Sequence, residues 1–90
     1  MAQVMVRSFY TSRSGDEEKE HGETYVVPAL ENETPEGTLS RKHQGAQKHG
    51  YTVLQFYLGL GKLETQKYFD DATEHPTDDY YKKRYYFWVE

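Results

Sequence analysis

Apolar and polar residues alternate near the N-terminus, and this pattern predicts a β-strand. Val4, Val6, Ser8 and Tyr10 alternate with Met5, Arg7 and Phe9. Period-two alternation that includes β-branched and aromatic residues is typical of a strand with one buried face. We therefore expect the first strand over residues 4–10.

The last eleven residues, 80–90, hold six of the fourteen aromatic residues of the chain, arranged around a basic cluster. Their alternation predicts a final strand. The odd-numbered residues form one face of this strand, which we expect to lie in the core: Tyr81, Lys83, Tyr85, Phe87 and Val89. The even-numbered residues form the other face: Tyr80, Lys82, Arg84, Tyr86 and Trp88. This segment is either the strand that closes a small core or a surface that holds a partner.

Two further stretches carry strand patterns, and a third stays open. Residues 24–30 predict a strand in which Pro28, lacking an N–H, marks an edge position or a strand end. Residues 51–60 have apolar side chains in both alternating sets, which predicts a central strand covered on both faces. A turn is expected at 59–62, and residues 63–69 fit either a strand or a short helix.

A short helix is expected in the middle of the chain. Thr38 and Ser40 are both suitable N-cap residues, and the helix would run to His49 and stop at Gly50. With four to five strands and one helix, the sequence predicts a single α+β domain over 1–90, dominated by an antiparallel sheet.

The charges come in blocks that sum to a net charge of −4. Acidic residues concentrate in 16–36 and 70–79, where glycine and proline are frequent and large apolar residues are few. We therefore expect acidic, mobile loops near 13–23, 31–37 and 70–79. The basic residues then lie mainly on the structured elements, which gives the molecule an uneven electrostatic field.

Composition narrows the class of protein. The chain has no cysteine, which speaks against a disulfide-stabilised secreted scaffold and favours a reducing cytoplasm. No stretch of the sequence approaches the ~18 apolar residues that a membrane span needs, so no membrane association is expected.

Candidate catalytic motifs are weak, and we expect neither enzyme activity nor a cofactor nor a metal. Gly59–Lys62 lacks the spacing and the following hydroxyl of a phosphate-binding loop. The four histidines have no partners at metal-ligand spacing. The acidic pairs Asp70-Asp71 and Asp78-Asp79 have no visible activating environment for acid–base chemistry.

Binding remains, and the sequence predicts a protein partner with a basic surface. Tyr, Trp and Arg would anchor the interface, and acidic loops would steer it. Small, acidic, Tyr-rich domains without cysteine suit inhibitors or accessory factors, such as those that bacteriophages make against host systems. The residues predicted to meet the partner are Glu17, Glu18, Glu20, Asp78, Asp79, Tyr80, Lys82, Arg84, Tyr86 and Trp88.

Two alternatives stay open. The basic and aromatic side chains of the last strand also suit single-stranded nucleic acid, with rings stacking on bases and cations following phosphates, although the net charge of −4 opposes this. The second alternative is a homo-oligomer, in which the last strand pairs with a second copy of the chain.

Overall fold

The chain forms a five-stranded antiparallel sheet with one α-helix. The computed structural model describes residues 2–14, 17–69 and 80–90, and the side chains of 2–11, 20–67 and 82–90. Its elements are β1 (Val4–Ser14), β2 (Glu17–Val27), α1 (Pro35–Lys48), β3 (Thr52–Tyr57), a 3-10 turn (Leu58–Leu60), β4 (Lys62–Phe69) and β5 (Tyr80–Val89). The strand order is β2-β1-β5-β4-β3. The predicted α+β class is confirmed.

The aromatic C-terminal segment is the middle strand of the sheet. On one side β5 pairs with β1, where Val6 lies opposite Phe87, and on the other it pairs with β4, where Leu63 lies opposite Phe87. Every β5 residue from Tyr81 to Trp88 therefore has strand neighbours on both sides. The prediction of a final strand is confirmed. Residues 63–69, for which the sequence fitted either a strand or a short helix, belong to strand β4.

Helix α1 packs on one face of the sheet, which we call the helix-side face. The buried apolar core lies between them and consists of Val4, Val6, Val27, Leu39, Leu63 and Phe87, with Val53, Phe56, Tyr85 and Val89 packed against it. Leu39 of the helix is fully buried. The ring of His43 stacks on Phe56 of β3 with centroids 4.1 Å apart. The predicted inward face of β5 is thus confirmed for Tyr85, Phe87 and Val89.

The helix begins earlier than predicted. Thr34, and not Thr38 or Ser40, is the N-cap: its hydroxyl accepts a hydrogen bond from the Gly37 N–H at 3.1 Å. Pro35 follows at the first helical position, where its fixed φ fits and its missing N–H costs nothing. The prediction was wrong because it treated Pro35 as part of a loop.

The end of the helix agrees with the prediction. Gly50 adopts φ +79°, and its N–H donates to the carbonyl of Gln47 at 3.1 Å. The N–H of Tyr51 donates to the carbonyl of Ala46 at 2.8 Å. These two bonds form a Schellman motif, which glycine allows because it has no Cβ.

An ion pair holds the start of α1 to the chain before it. Arg41 donates from Nε to Glu33 Oε2 and from Nη2 to Glu33 Oε1, both at 2.9 Å, and Nη2 also reaches the carbonyl of Pro28 at 3.1 Å. Thr38 donates its hydroxyl hydrogen to Glu33 Oε1 at 2.6 Å. Hydrogen bonds from Arg41 and Thr38 lower the pKa of Glu33 from its ordinary 4.5 to about 2.

The prediction that 51–60 forms a central strand was wrong. β3 ends at Tyr57 and lies at the edge of the sheet, with Leu54 49% exposed and Leu60 71% exposed. The register shifts between Val53 and Gln55, so that the alternation changes phase there. Apolar side chains in both alternating sets therefore reflect a bulge and a 3-10 turn rather than burial on two faces.

The loop prediction also needs correction. Residues 17–23, expected in an acidic loop, belong to β2, because backbone pairing with β1 forms a hairpin that needs no apolar side chains. β2 ends before Pro28 and is an edge strand, as predicted. Of residues 31–37, also expected to form a loop, only 31–34 lie before the helix, and 35–37 form its first turn. Residues 70–79 lie outside the described residues, and the mobility of all three segments stays a prediction.

Candidate binding face of the sheet

Within the part of the chain that the structure describes, α1 is the only α-helix, and it does not pack on the second face of the sheet, where most side chains are half-buried or exposed and Thr11 is buried. We call this second face the open face. The strand pairings place the following described side chains on it: Glu20, Thr24, Val26, Met5, Arg7, Phe9, Thr11, Lys82, Arg84, Tyr86, Trp88, Lys62, Glu64, Gln66, Thr52, Gln55 and Tyr57. This assignment follows from the pairing and the alternation of the strands. Residues directly opposite one another on neighbouring strands project to the same side, and every second residue of a strand does so too.

One end of the open face is largely apolar, with Lys62 as its single charged side chain among the described residues. A single row crosses all five strands at this end, formed in strand order by Val26, Met5, Trp88, Lys62 and Tyr57. Val26 is 44% exposed and Tyr57 is 51% exposed. Exposed apolar side chains that cluster in this way are typical of interaction sites in soluble proteins.

Aromatic rings and matched polar groups lie together next to this row. Tyr86 and Trp88 lie side by side on β5, with ring centroids 6.5 Å apart. Arg7 donates from Nη1 to Thr24 Oγ1 at 2.9 Å, and its guanidinium carbon lies 5.1 Å from the centroid of the Phe9 ring. These contacts hold long side chains in place, so that less side-chain freedom is lost when a partner binds.

An ion pair also lies on this face. Arg84 Nη2 donates to Glu64 Oε1, and the two side chains are 39% and 15% exposed. Arg84 Nε is buried without a hydrogen-bond partner in the described structure. Glu64 thus neutralises the cation nearest the centre of the face, and Arg84 is less available to an external anion.

The opposite end of the sheet is acidic. β1 and β2 meet there, with Ser14 opposite Glu17, and Arg13 lies opposite Tyr80 at the start of β5. Phe69, the last residue of β4, lies opposite Tyr81, so β4 ends and β5 begins at this same end. Residues 13–23 and 70–79 together contain ten acidic residues and two basic ones, a net of −8, so that the rest of the chain carries +4.

The structure brings half of the predicted contact residues together. Lys82, Arg84, Tyr86 and Trp88 share the open face, and Glu20 lies in the row that Thr11 and Lys82 occupy. Glu17, Glu18 and Tyr80 are placed by their backbones alone, at the acidic end. Asp78 and Asp79 lie outside the described residues.

Sequence reasoning missed the contribution of β1 and β4 to this face. Met5, Arg7 and Phe9 alternate with the buried Val4 and Val6, so the strand pattern already contained the signal. Their adjacency to Trp88, Tyr86 and Arg84 depends on the pairing of β1 with β5, which joins opposite ends of the chain and has no local signature. Glu64 was missed because residues 63–69 had no settled structure.

No protein-family model matches the chain, and comparisons with curated proteins and with solved structures gave no match. The described residues include no group of three or more His, Asp or Glu side chains placed to hold a metal ion. No helix in the described ranges has the length and apolar character to cross a membrane.

Proposed function

We propose that this protein is a non-catalytic protein-binding module that uses the open face as its contact surface. The observation that carries the proposal is the sheet face on which α1 does not pack, where Tyr86 lies beside Trp88 and Trp88 belongs to the largely apolar row at one end. Tyr and Trp anchors with neighbouring Arg are the residue types that dominate interface energetics. The matched Arg84–Glu64 pair adds polar specificity without a large net charge.

The proposed partner is a protein with a basic surface. By sequence, residues 13–23 and 70–79 carry a net charge of −8, and Glu20 of the acidic end lies in the same row of the open face as Lys82. Such an end orients the molecule during encounter and raises the association rate, an effect that salt weakens. A cytoplasmic inhibitor or accessory factor that occludes a basic site, viral by analogy, fits this charge distribution.

Single-stranded nucleic acid is the second candidate. It is supported by the sheet face on which Phe9, Tyr86 and Trp88 lie among Arg7 and Lys82, since rings stack on bases and cations contact phosphates. Two observations favour a protein. Glu64 neutralises Arg84, and the adjoining acidic end would repel a phosphate backbone.

The test is quantitative affinity capture from nuclease-treated lysate of the source cells, with five forms of the protein. The wild type is compared with a Tyr86→Ala/Trp88→Ala variant of the open face and with a Glu17→Lys/Glu18→Lys variant of the acidic end. Tyr25→Ala is the matched control, because Tyr25 is an exposed aromatic residue on the helix-side face. Lys82→Glu reports on phosphate contact.

The proposal expects one protein whose recovery survives nuclease, falls at least tenfold in the Tyr86→Ala/Trp88→Ala variant and is unchanged in Tyr25→Ala. Recovery by the Glu17→Lys/Glu18→Lys variant should fall less, and mainly through a slower association rate. Nuclease-sensitive recovery that Lys82→Glu abolishes would instead support nucleic acid. Recovery that depends on Tyr25 as much as on Trp88 would overturn the assignment of the open face.

A further inference from the structure

A groove on the helix-side face forms a second candidate site, distinct from the open face. It has a volume of about 650 Å³ and lies between α1 and the sheet. Val6, Phe87 and Tyr85 form its sheet wall, and Gly45 and Ala46 are on its helix wall. This volume lies within the range of roughly 300–1,000 Å³ that is usual for small-molecule sites.

Gly45 keeps the groove open. It lies in the interior of α1, where glycine is the least favourable residue apart from proline. Nothing in the backbone requires it, because Gly45 has no positive φ and an added Cβ would have no atom within 4 Å. An alanine there would stabilise the helix, so the glycine is best explained by the space that it leaves in the groove.

The rim of the groove is cationic. Arg41, Lys42 and Lys67 line it, and no acidic residue is among its described lining residues. Arg41 is already bound to Glu33, and Lys67 Nζ donates to the carbonyl of His49 at 2.7 Å. Lys42 makes no ion pair with any described residue and is the cation best placed for an incoming anion.

A buried polar group lies among the lining residues as well. Thr65 is fully buried, and its hydroxyl has no hydrogen-bond partner among the described residues. Buried hydroxyls in proteins normally have a partner. The groove therefore combines an apolar wall, an unpartnered hydroxyl and a cationic rim.

We propose that this groove binds an amphipathic monocarboxylate, with its apolar body between α1 and the sheet and its carboxylate at Lys42. A charge-assisted hydrogen bond from the ammonium group would fix the carboxylate at the rim. A neutral or cationic ligand of the same shape would lose this contact. The site is independent of the open face and of the function proposed for it.

The experiment titrates the full chain with dodecanoate below its micelle threshold, and with dodecanol as the uncharged control, by calorimetry and by amide chemical shifts. Dodecanoate should bind about tenfold more tightly than dodecanol, with shifts on α1 and the helix-side face. Lys42→Met should remove this preference while leaving dodecanol binding unchanged. If Lys42 had only a structural role, Lys42→Met would weaken the binding of dodecanoate and of dodecanol alike.

Gly45→Leu places a side chain in the groove and should abolish binding of both ligands. Because it replaces a helix-interior glycine, its thermal midpoint should stay the same or rise by roughly 4 °C, which separates blockage from unfolding. Gly59→Leu is the matched control, since a Cβ at Gly59 also meets nothing within 4 Å but lies in the exposed 3-10 turn.

Three results would overturn the proposal: no binding of dodecanoate to the wild type, equal binding of dodecanoate and dodecanol, or binding that Gly45→Leu retains. Analytical ultracentrifugation tests whether a second copy of the chain occupies the groove instead. A concentration-dependent mass that Gly45→Leu lowers would show that a second copy fills the groove, and this would also contradict the proposed ligand.

Discussion

The two faces of the sheet differ most clearly at neighbouring residues of β5. Phe87, which is 6% exposed, packs on the helix-side face beneath α1, whereas Trp88 is partly exposed on the open face beside Tyr86. The same contrast separates Val6 from Arg7 on β1 and Leu63 from Glu64 on β4. Adjacent positions of a strand therefore serve folding and binding separately, and substitutions at them should have opposite consequences.

The largest expected effect tests this separation at β5 directly. Phe87→Ala should lower the free energy of unfolding by about 3 kcal/mol or more, because it leaves a cavity in a small core. Trp88→Ala should cost less, about 2 kcal/mol, since Trp88 keeps part of its surface in water. Urea unfolding of both variants measures the difference. Equal losses would mean that Trp88 is a core residue and that the open face is not free.

The next effect tests the close packing of Gly61 against Val89, at the start of β4 and the end of β5. Gly61 is buried at φ +62°, and a Cβ there would lie 2.6 Å from Val89 Cγ2 and 2.9 Å from Val89 Cβ. Gly61→Ala should therefore destabilise the fold by about 2 kcal/mol. Gly59→Ala is the control with open space around it and should change stability by less than ~0.5 kcal/mol. If both variants unfold alike in urea, the close contact with Val89 is not needed.

A smaller effect concerns the ion pair of the open face. Glu64→Ala leaves the guanidinium of Arg84 without its partner, and a double-mutant cycle with Arg84→Met should give a coupling free energy of about 1 kcal/mol. A coupling near zero would show that the pair does not hold Arg84 in place. Removing Glu64 should also raise any affinity for single-stranded nucleic acid, because it frees a positive charge.

The smallest effect lies away from both faces, at the start of α1. The pKa of Glu33 is lowered to about 2, so its carboxylate stabilises the fold fully above pH 4.5 and loses this contribution as the pH falls toward 2. Glu33→Gln should flatten the pH dependence of the unfolding midpoint in that window. The midpoint should fall modestly at pH 7, because the Arg41 side chain is 35% exposed and solvent weakens the ion pair. An unchanged slope would contradict the assigned pKa.

The sequence predicted the parts of the fold that local patterns control. Alternation placed β1 and β5 and identified the inward side chains Phe87 and Val89, and Gly50 marked the end of α1. It failed at 51–60, where the register shift between Val53 and Gln55 breaks the period-two pattern. It also failed at 17–23, where backbone pairing alone sustains a strand of polar residues.

The candidate site was predictable only in part, because it joins three strands from distant parts of the chain. The even-numbered residues of β5 were visible in the sequence. Their neighbours Arg7 and Glu64 became evident only once β1 and β4 were paired with β5. The same pairing places the end of β4 and the start of β5 at the end of the sheet where Ser14 of β1 lies opposite Glu17 of β2.

The measurement that tests the central claim most directly is oxidative footprinting of the free protein and of its complex with the captured partner. Trp88 and Tyr86 report on the open face, and Tyr25, 45% exposed, reports on the helix-side face. We expect Trp88 and Tyr86 to be protected in the complex while oxidation of Tyr25 is unchanged. Protection of Tyr25 with Trp88 and Tyr86 still reactive would contradict the assignment of the open face as the binding surface.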